Sequence, residues 1–295
     1  MVRHSANDVR RAAFAGTWYS AEPGELGADV DAYLAAVDIV SDGDLLAVIA
    51  PHAGLLYSGP VAAWSYRMLA GRPIDVLVLV GPSHYAAFDG VAVDDREAYE
   101  SPLGLTPVGQ RDARQLAAAS PAVRVDRHVH SHEHALEMQL PFLQRVAPGV
   151  PIVPVLMGEQ SRDTVDALAR VLTTTFAGRR VVLVASTDLS HFFASTDAAR
   201  LDARVIGHVE RADADGLMTE LERYPEHERG RFVACGGGPA VAVLRTATAL
   251  GAQAGRLLKY GDSGDVSGDH DHVVGYLAAA VGSWPALARV GDRPC

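Results

Sequence analysis

The sequence predicts an α/β fold: one domain in which a mostly buried sheet is covered by helices. Three observations carry this. Short, continuous apolar runs recur along the chain, at 45–50, 75–80, 151–157, 180–186, 255–260 and 273–281. Such runs are the mark of strands buried on both faces rather than on one. Helical periodicity separates several of them, and no Pro/Ser-rich linker or composition break divides the 295 residues. The expectation is a single domain over 1–295, with a core from about 11 to 285 and ragged ends.

The helices follow from spacing. "HALEMQLPFLQRV" (134–146) sets Leu136, Leu140, Leu143 and Val146 on one face, and "TVDALARVLTTTF" (164–176) repeats the pattern. Residues 201–224 read as one or two amphipathic helices. "GGGPAVAVLRTATALG" (236–251) opens on glycines and a proline and closes on Gly251, as helices do.

Composition narrows the class. The chain is 48% hydrophobic and 21% charged, with a net charge of −10, which argues against a nucleic-acid partner. The N-terminus lacks the apolar segment of a signal peptide, and no run is long enough to span a membrane; "GYLAAAVGSW" reads as a buried strand. The two cysteines, Cys235 and Cys295, make no disulfide framework. These features predict a cytoplasmic protein.

Three apolar runs end in polar chemistry: "LLAVIAPHAG" in His52, "VLVLVGPSHY" in His84, and "VVLVASTDLSH" in Asp188 and His191. Ligand sites of open α/β sheets lie beyond the carboxyl ends of the strands, so these tips are expected to meet in one pocket. Two imidazoles from separate strands begin a transition-metal site. Candidates for a third donor are Cys235 in "FVACGGGPA", Asp188, and Glu137 beside His134. Cys235 precedes a helix start, where the dipole favours a thiolate. His134, Glu137 and Tyr57 are candidate pocket walls, whereas His128, His130 and His132 read as surface loop.

Other motifs fail. "HEHALE" lacks the second histidine of HExxH. Neither dinucleotide nor P-loop glycine patterns occur, G-x-S-x-G is missing, and "YGDSGDVSGDHDH" (260–272) does not match a calcium loop.

Seven blocks in order, "AGTWYSAEPGEL", "PHAGLLYSGPVAA", "VGPSHY", "EHALEMQLPFL", "STDLSHF", "ACGGGPAVAVL" and "YGDSGDVSGDHDHVVGYLAAAV", resemble the Memo family, whose bacterial members are called AmmeMemoRadiSam system protein B. The resemblance covers nearly the whole chain. It implies a mixed-sheet fold similar to the LigB-like class III extradiol dioxygenases, non-haem iron enzymes that take dioxygen and a small-molecule substrate. It implies metal ligands His52, His84 and Cys235, with His191 and Asp188 as acid/base groups. The thiolate in place of the dioxygenases' carboxylate is a softer ligand that admits copper as an alternative to iron. A metal-dependent oxidoreductase is therefore the expected activity. The resemblance also implies partnership with a radical SAM protein and an AMMECR1-like protein. The competing expectations are a phosphopeptide-binding adaptor and a protein that only sequesters copper or iron.

Overall fold

The structure, a computed structural model, describes residues 8–39 and 42–284. Cys295 and most of the ends expected to be ragged lie outside the described residues. Four parallel strands form the centre, in the order Asp44–Ala50, Val181–Ser186, Val76–Pro82, Ile152–Met157. Beyond Asp44–Ala50, Val273–Ser283 runs antiparallel; it also pairs with Ala254–Asp262 and, at its start, with His191–Phe193. Beyond Ile152–Met157 come Val91–Val93, antiparallel, and then Val123–Val125. All six apolar runs are strands, and the sheet is mixed, as expected.

Alternate side chains of these strands enter different layers. Val76, Val78 and Val80 join the apolar layer built with the helices Arg162–Phe176 and Gly237–Ala249. Leu77 and Leu79 join the opposite layer, with Pro23–Ala35, Leu55–Arg67 and Leu140–Val146. Burial on both faces explains why the strands read as unbroken apolar runs rather than alternating ones. Among the described residues no single helix is long and apolar enough to cross a membrane.

Two helical readings are refined. The 134–146 pattern is two helices, His134–Glu137 and Leu140–Val146. Pro141 has no N–H to continue the first ladder and instead begins the second helix. The break places the Gln139 amide nitrogen within hydrogen-bond reach of Pro51 O, Ala135 O and Ser186 Oγ beneath the sheet edge. The 201–224 pattern likewise divides into Ser195–Glu210 and Ala214–Glu222, the second capped by the Asp213 carboxylate on Gly216 N–H.

A small sheet of Val9–Arg10, Ala98–Ser101 and Gly104–Pro107 carries the N-terminal segment. Strands this short present too few residues for a pattern, so the sequence does not announce them. The histidine tract corrects one expectation. His128 and His132 are exposed, but His130 is buried, packed through Nδ1 on the Tyr99 hydroxyl and through Nε2 on Ala92 O.

Candidate functional site

Asp44–Ala50, Val181–Ser186 and Val76–Pro82 are neighbours and parallel, so their carboxyl ends open on one edge. His52, Asp188 and His84 follow those ends directly. The pocket is therefore a consequence of strand order. Its cavity, of about 690 Å³, is lined on the polar side by His52, His84, His134, Asp188 and His191. Trp18, Leu56, Tyr57 and Val274 supply the apolar side.

His52 is buried, and its Nδ1 is engaged by the Ser186 hydroxyl. The Ser186 hydroxyl has one hydrogen, which it donates to Ala135 O at 2.7 Å. The oxygen also lies 2.9 Å from Gln139 Nε2 and 2.8 Å from His52 Nδ1, so it joins all three groups. With Nδ1 engaged by Ser186, His52 turns its Nε2 inward. Burial, then the nearby His84, His134 and His191, hold its pKa well below the ordinary value and keep the ring neutral.

Cys235 meets that nitrogen: its sulfur lies 3.2 Å from His52 Nε2 and receives the Asp188 N–H at 3.3 Å. The strand end and the Gly237–Ala249 helix approach so closely here that a Cβ on Gly236 would sit 2.3 Å from Ser186 O. That contact is why glycine follows the cysteine.

His84 is oriented by Glu133, whose carboxylate accepts from its Nδ1 at 2.8 Å and its backbone N–H at 2.6 Å. Burial lowers the His84 pKa, but hydrogen bonds to Cys235 and Glu133 outweigh it and push the ring up to about 10. His134 stacks on His84 with centroids 4.3 Å apart, and burial together with the His84 charge drives its pKa down to about 3. One ligand nitrogen from each of His52, His84 and His134 lies within 4.8 Å of the others.

Asp188 spends Oδ1 on the His52 and Ala53 N–H groups, and burial raises its pKa against the lowering effect of His191. His191 gives Nδ1 to Leu189 O at 2.7 Å, which leaves Nε2 as its bare nitrogen at the cavity wall. Of the candidate walls, Tyr57 and His134 line the cavity, whereas Glu137 lies behind it. The Glu137 carboxylate is fully buried and held by Arg10, the Tyr19 hydroxyl and the Ala13 and Phe14 N–H groups.

The chain matches the family model "Memo-like protein" over residues 10–280. It belongs to the Memo family. A MEMO1 family protein of Methanopyrus kandleri is 36% identical over 284 residues, covering 91% of this chain and 97% of that protein. One of Methanosarcina mazei is 35% identical and covers 93% and 99%. The crystal structure of an uncharacterized protein from Escherichia coli K12 shares the fold at a TM-score of 0.55, with 15% identity over 81% of this chain and all of that one.

Sequence reasoning about this Memo-like protein missed Glu133, Ser186 and Trp18. Glu133 adjoins His134 in the histidine tract, and that adjacency was the available signal. Carboxylates that accept from a ligand imidazole fix its ring and raise its basicity. Were His84 to hold a metal, Glu133→Gln would weaken its binding by about 10–100-fold while the fold persists. Competition titration against a coloured chelator, beside a thermal melt, measures this; unchanged affinity would contradict the assigned role.

Proposed function

We propose that this Memo-like protein holds a redox-active transition metal, iron ahead of copper, at His52, His84 and Cys235. We propose further that it works as a non-haem oxidoreductase on a small substrate. One observation carries the reading: the Nε2 of His52 faces the Cys235 sulfur at 3.2 Å, beside a ligand nitrogen of His84 that lies within 4.8 Å of the His52 one. The donor set fits the group. Both Nδ1 atoms are committed, to Ser186 and Glu133, which leaves the other nitrogens for a metal. Two imidazoles and a thiolate suit iron and copper, with the thiolate favouring the softer copper(I).

Such a metal, when bound, supplies Lewis acidity and an electron-transfer centre for substrate or dioxygen. The residues supply the rest. Trp18, Leu56, Tyr57 and Val274 offer an apolar wall that keeps water from the reacting side of a flat or apolar substrate. His191, with Nδ1–H fixed on Leu189 O, can take or return a proton at Nε2. Asp188 ties the His52 and Ala53 backbone to its own strand, and so holds the ligand loop in register.

Among the described residues no lysine or arginine lines the cavity, which favours this reading over phosphopeptide recognition. The association with radical SAM and AMMECR1-like proteins belongs to the same proposal and rests on the family alone.

Elemental mass spectrometry of anaerobically purified protein tests it. Near-stoichiometric iron or copper is expected, lost in His84→Ala and reduced in Cys235→Ala. A wild-type protein that holds no metal and takes up neither iron(II) nor copper(I) would refute the proposal.

A further inference from the structure

His134 takes no part in the His52, His84 and Cys235 set, yet it is built into the pocket. It is only 6% exposed, and among the described residues neither ring nitrogen makes a hydrogen bond. Glu133 Oε1 comes within 3.3 Å of its Nδ1 without accepting from it. The same oxygen already takes the His84 Nδ1 and the Ala135 N–H. A buried polar group left unpaired is costly. Rotation cannot relieve it, because Trp18 packs against one side of the ring at 4.3 Å and His84 stacks on it at 4.3 Å. Phe14 adds an edge contact at 5.6 Å. The ring is thus fixed where a ligand nitrogen lies within 4.8 Å of those of His52 and His84.

We propose that His52, His84 and His134 form a second, all-imidazole ion position that does not need Cys235. It would take a borderline divalent cation such as zinc or cobalt(II). The inference rests on the reading above to the extent that the two sets share His52 and His84. Three imidazoles are a complete protein ligand set for zinc, with a fourth position left open. Without the thiolate the preference moves away from copper(I) toward divalent ions of the zinc type. The pocket therefore offers two ligand sets built on one histidine pair, and the third donor selects the ion. A ligand nitrogen of His134 gains a partner only in the imidazole set.

Anaerobic titration of chelator-stripped protein with cobalt(II), followed by absorption, separates the sets. Cys235→Ala is expected to bind one cobalt, with visible d–d bands and no thiolate-to-cobalt band in the near ultraviolet. Adding His134→Ala to that variant is expected to weaken binding by at least about 100-fold, beyond the usual effect of an outer-shell change. His134→Gln, closer in volume, replaces alanine if thermal melts show that the double variant does not fold. A folded Cys235→Ala protein that takes up no cobalt, beside a loaded wild type, overturns this inference alone. So does a double variant that binds as tightly as Cys235→Ala. A wild type that binds neither cobalt nor iron overturns both readings.

Discussion

Glu137→Ala is expected to lower the stability of this Memo-like protein by about 3–5 kcal/mol, the usual cost of stripping one partner from a buried ion pair. Arg10 and Glu137 are both essentially inaccessible, at 1% and 0% side-chain exposure. The guanidinium also donates to His130 O at 3.0 Å and Glu133 O at 2.8 Å. The carboxylate accepts the N–H groups of Ala13 and Phe14 at 2.9 Å each, and the Tyr19 hydroxyl. Removing the carboxylate leaves a buried cation without its counter-charge and takes the acceptor from the Phe14 N–H, the Tyr19 hydroxyl and the half-buried Ala13 N–H. For a domain whose whole stability is about 5–15 kcal/mol, that is a large share. Urea denaturation measures it, and a loss below about 1 kcal/mol would contradict the argument. The damage should reach the pocket, because the segment held by Glu137 carries Phe14 and Trp18, which pack on His134.

The second large effect is on acid stability. Burial, reinforced by the charges of Arg10 and Arg96 and opposed by Asp94, lowers the His130 pKa to about 4. The ring is packed between the Tyr99 hydroxyl and Ala92 O, out of reach of water. Between the unfolded value near 6.5 and about 4, the unfolded chain binds a proton that the fold refuses. Stability must therefore fall as pH drops through that window, by about 1.4 kcal/mol per pH unit and about 3 kcal/mol in all. His130→Gln removes this contribution. Its melting temperature should start lower at neutral pH and decline less steeply toward pH 4 than that of the wild type. Parallel slopes in the two proteins would exclude His130 as the titrating group.

The sheet and the histidines at its edge were legible because each is local. An apolar run of six or seven residues that stops at His52 or His84 states both the strand and the tip in one stretch. What orients those tips is not local. Glu133 reaches His84 across 49 positions, and Ser186 reaches His52 across 134. No spacing rule within either segment encodes such a pairing. The break at Gln139 was hidden for a related reason. Helical periodicity continues through it, and the contacts that the Gln139 amide makes with Pro51 and Ser186 once Pro141 starts a new helix are not local. His130 misled because alternate histidines look alike in sequence, and only the neighbouring Tyr99 and Ala92 separate it from His128 and His132.

The sulfur and the nitrogen that face each other at 3.2 Å belong to residues 183 positions apart, on opposite sides of most of the folded chain. A growing polypeptide has no such pair until the Val181–Ser186 strand is laid between its neighbours and the helix behind Cys235 has docked. On the proposed function, ion capture would therefore be a late event in the maturation of the chain. An ion so held favours the finished structure over every unfinished one, by an amount that grows with the logarithm of its free concentration. Metal supply would then set how much of this protein survives heat or proteolysis, quite apart from what the metal does once it is in place.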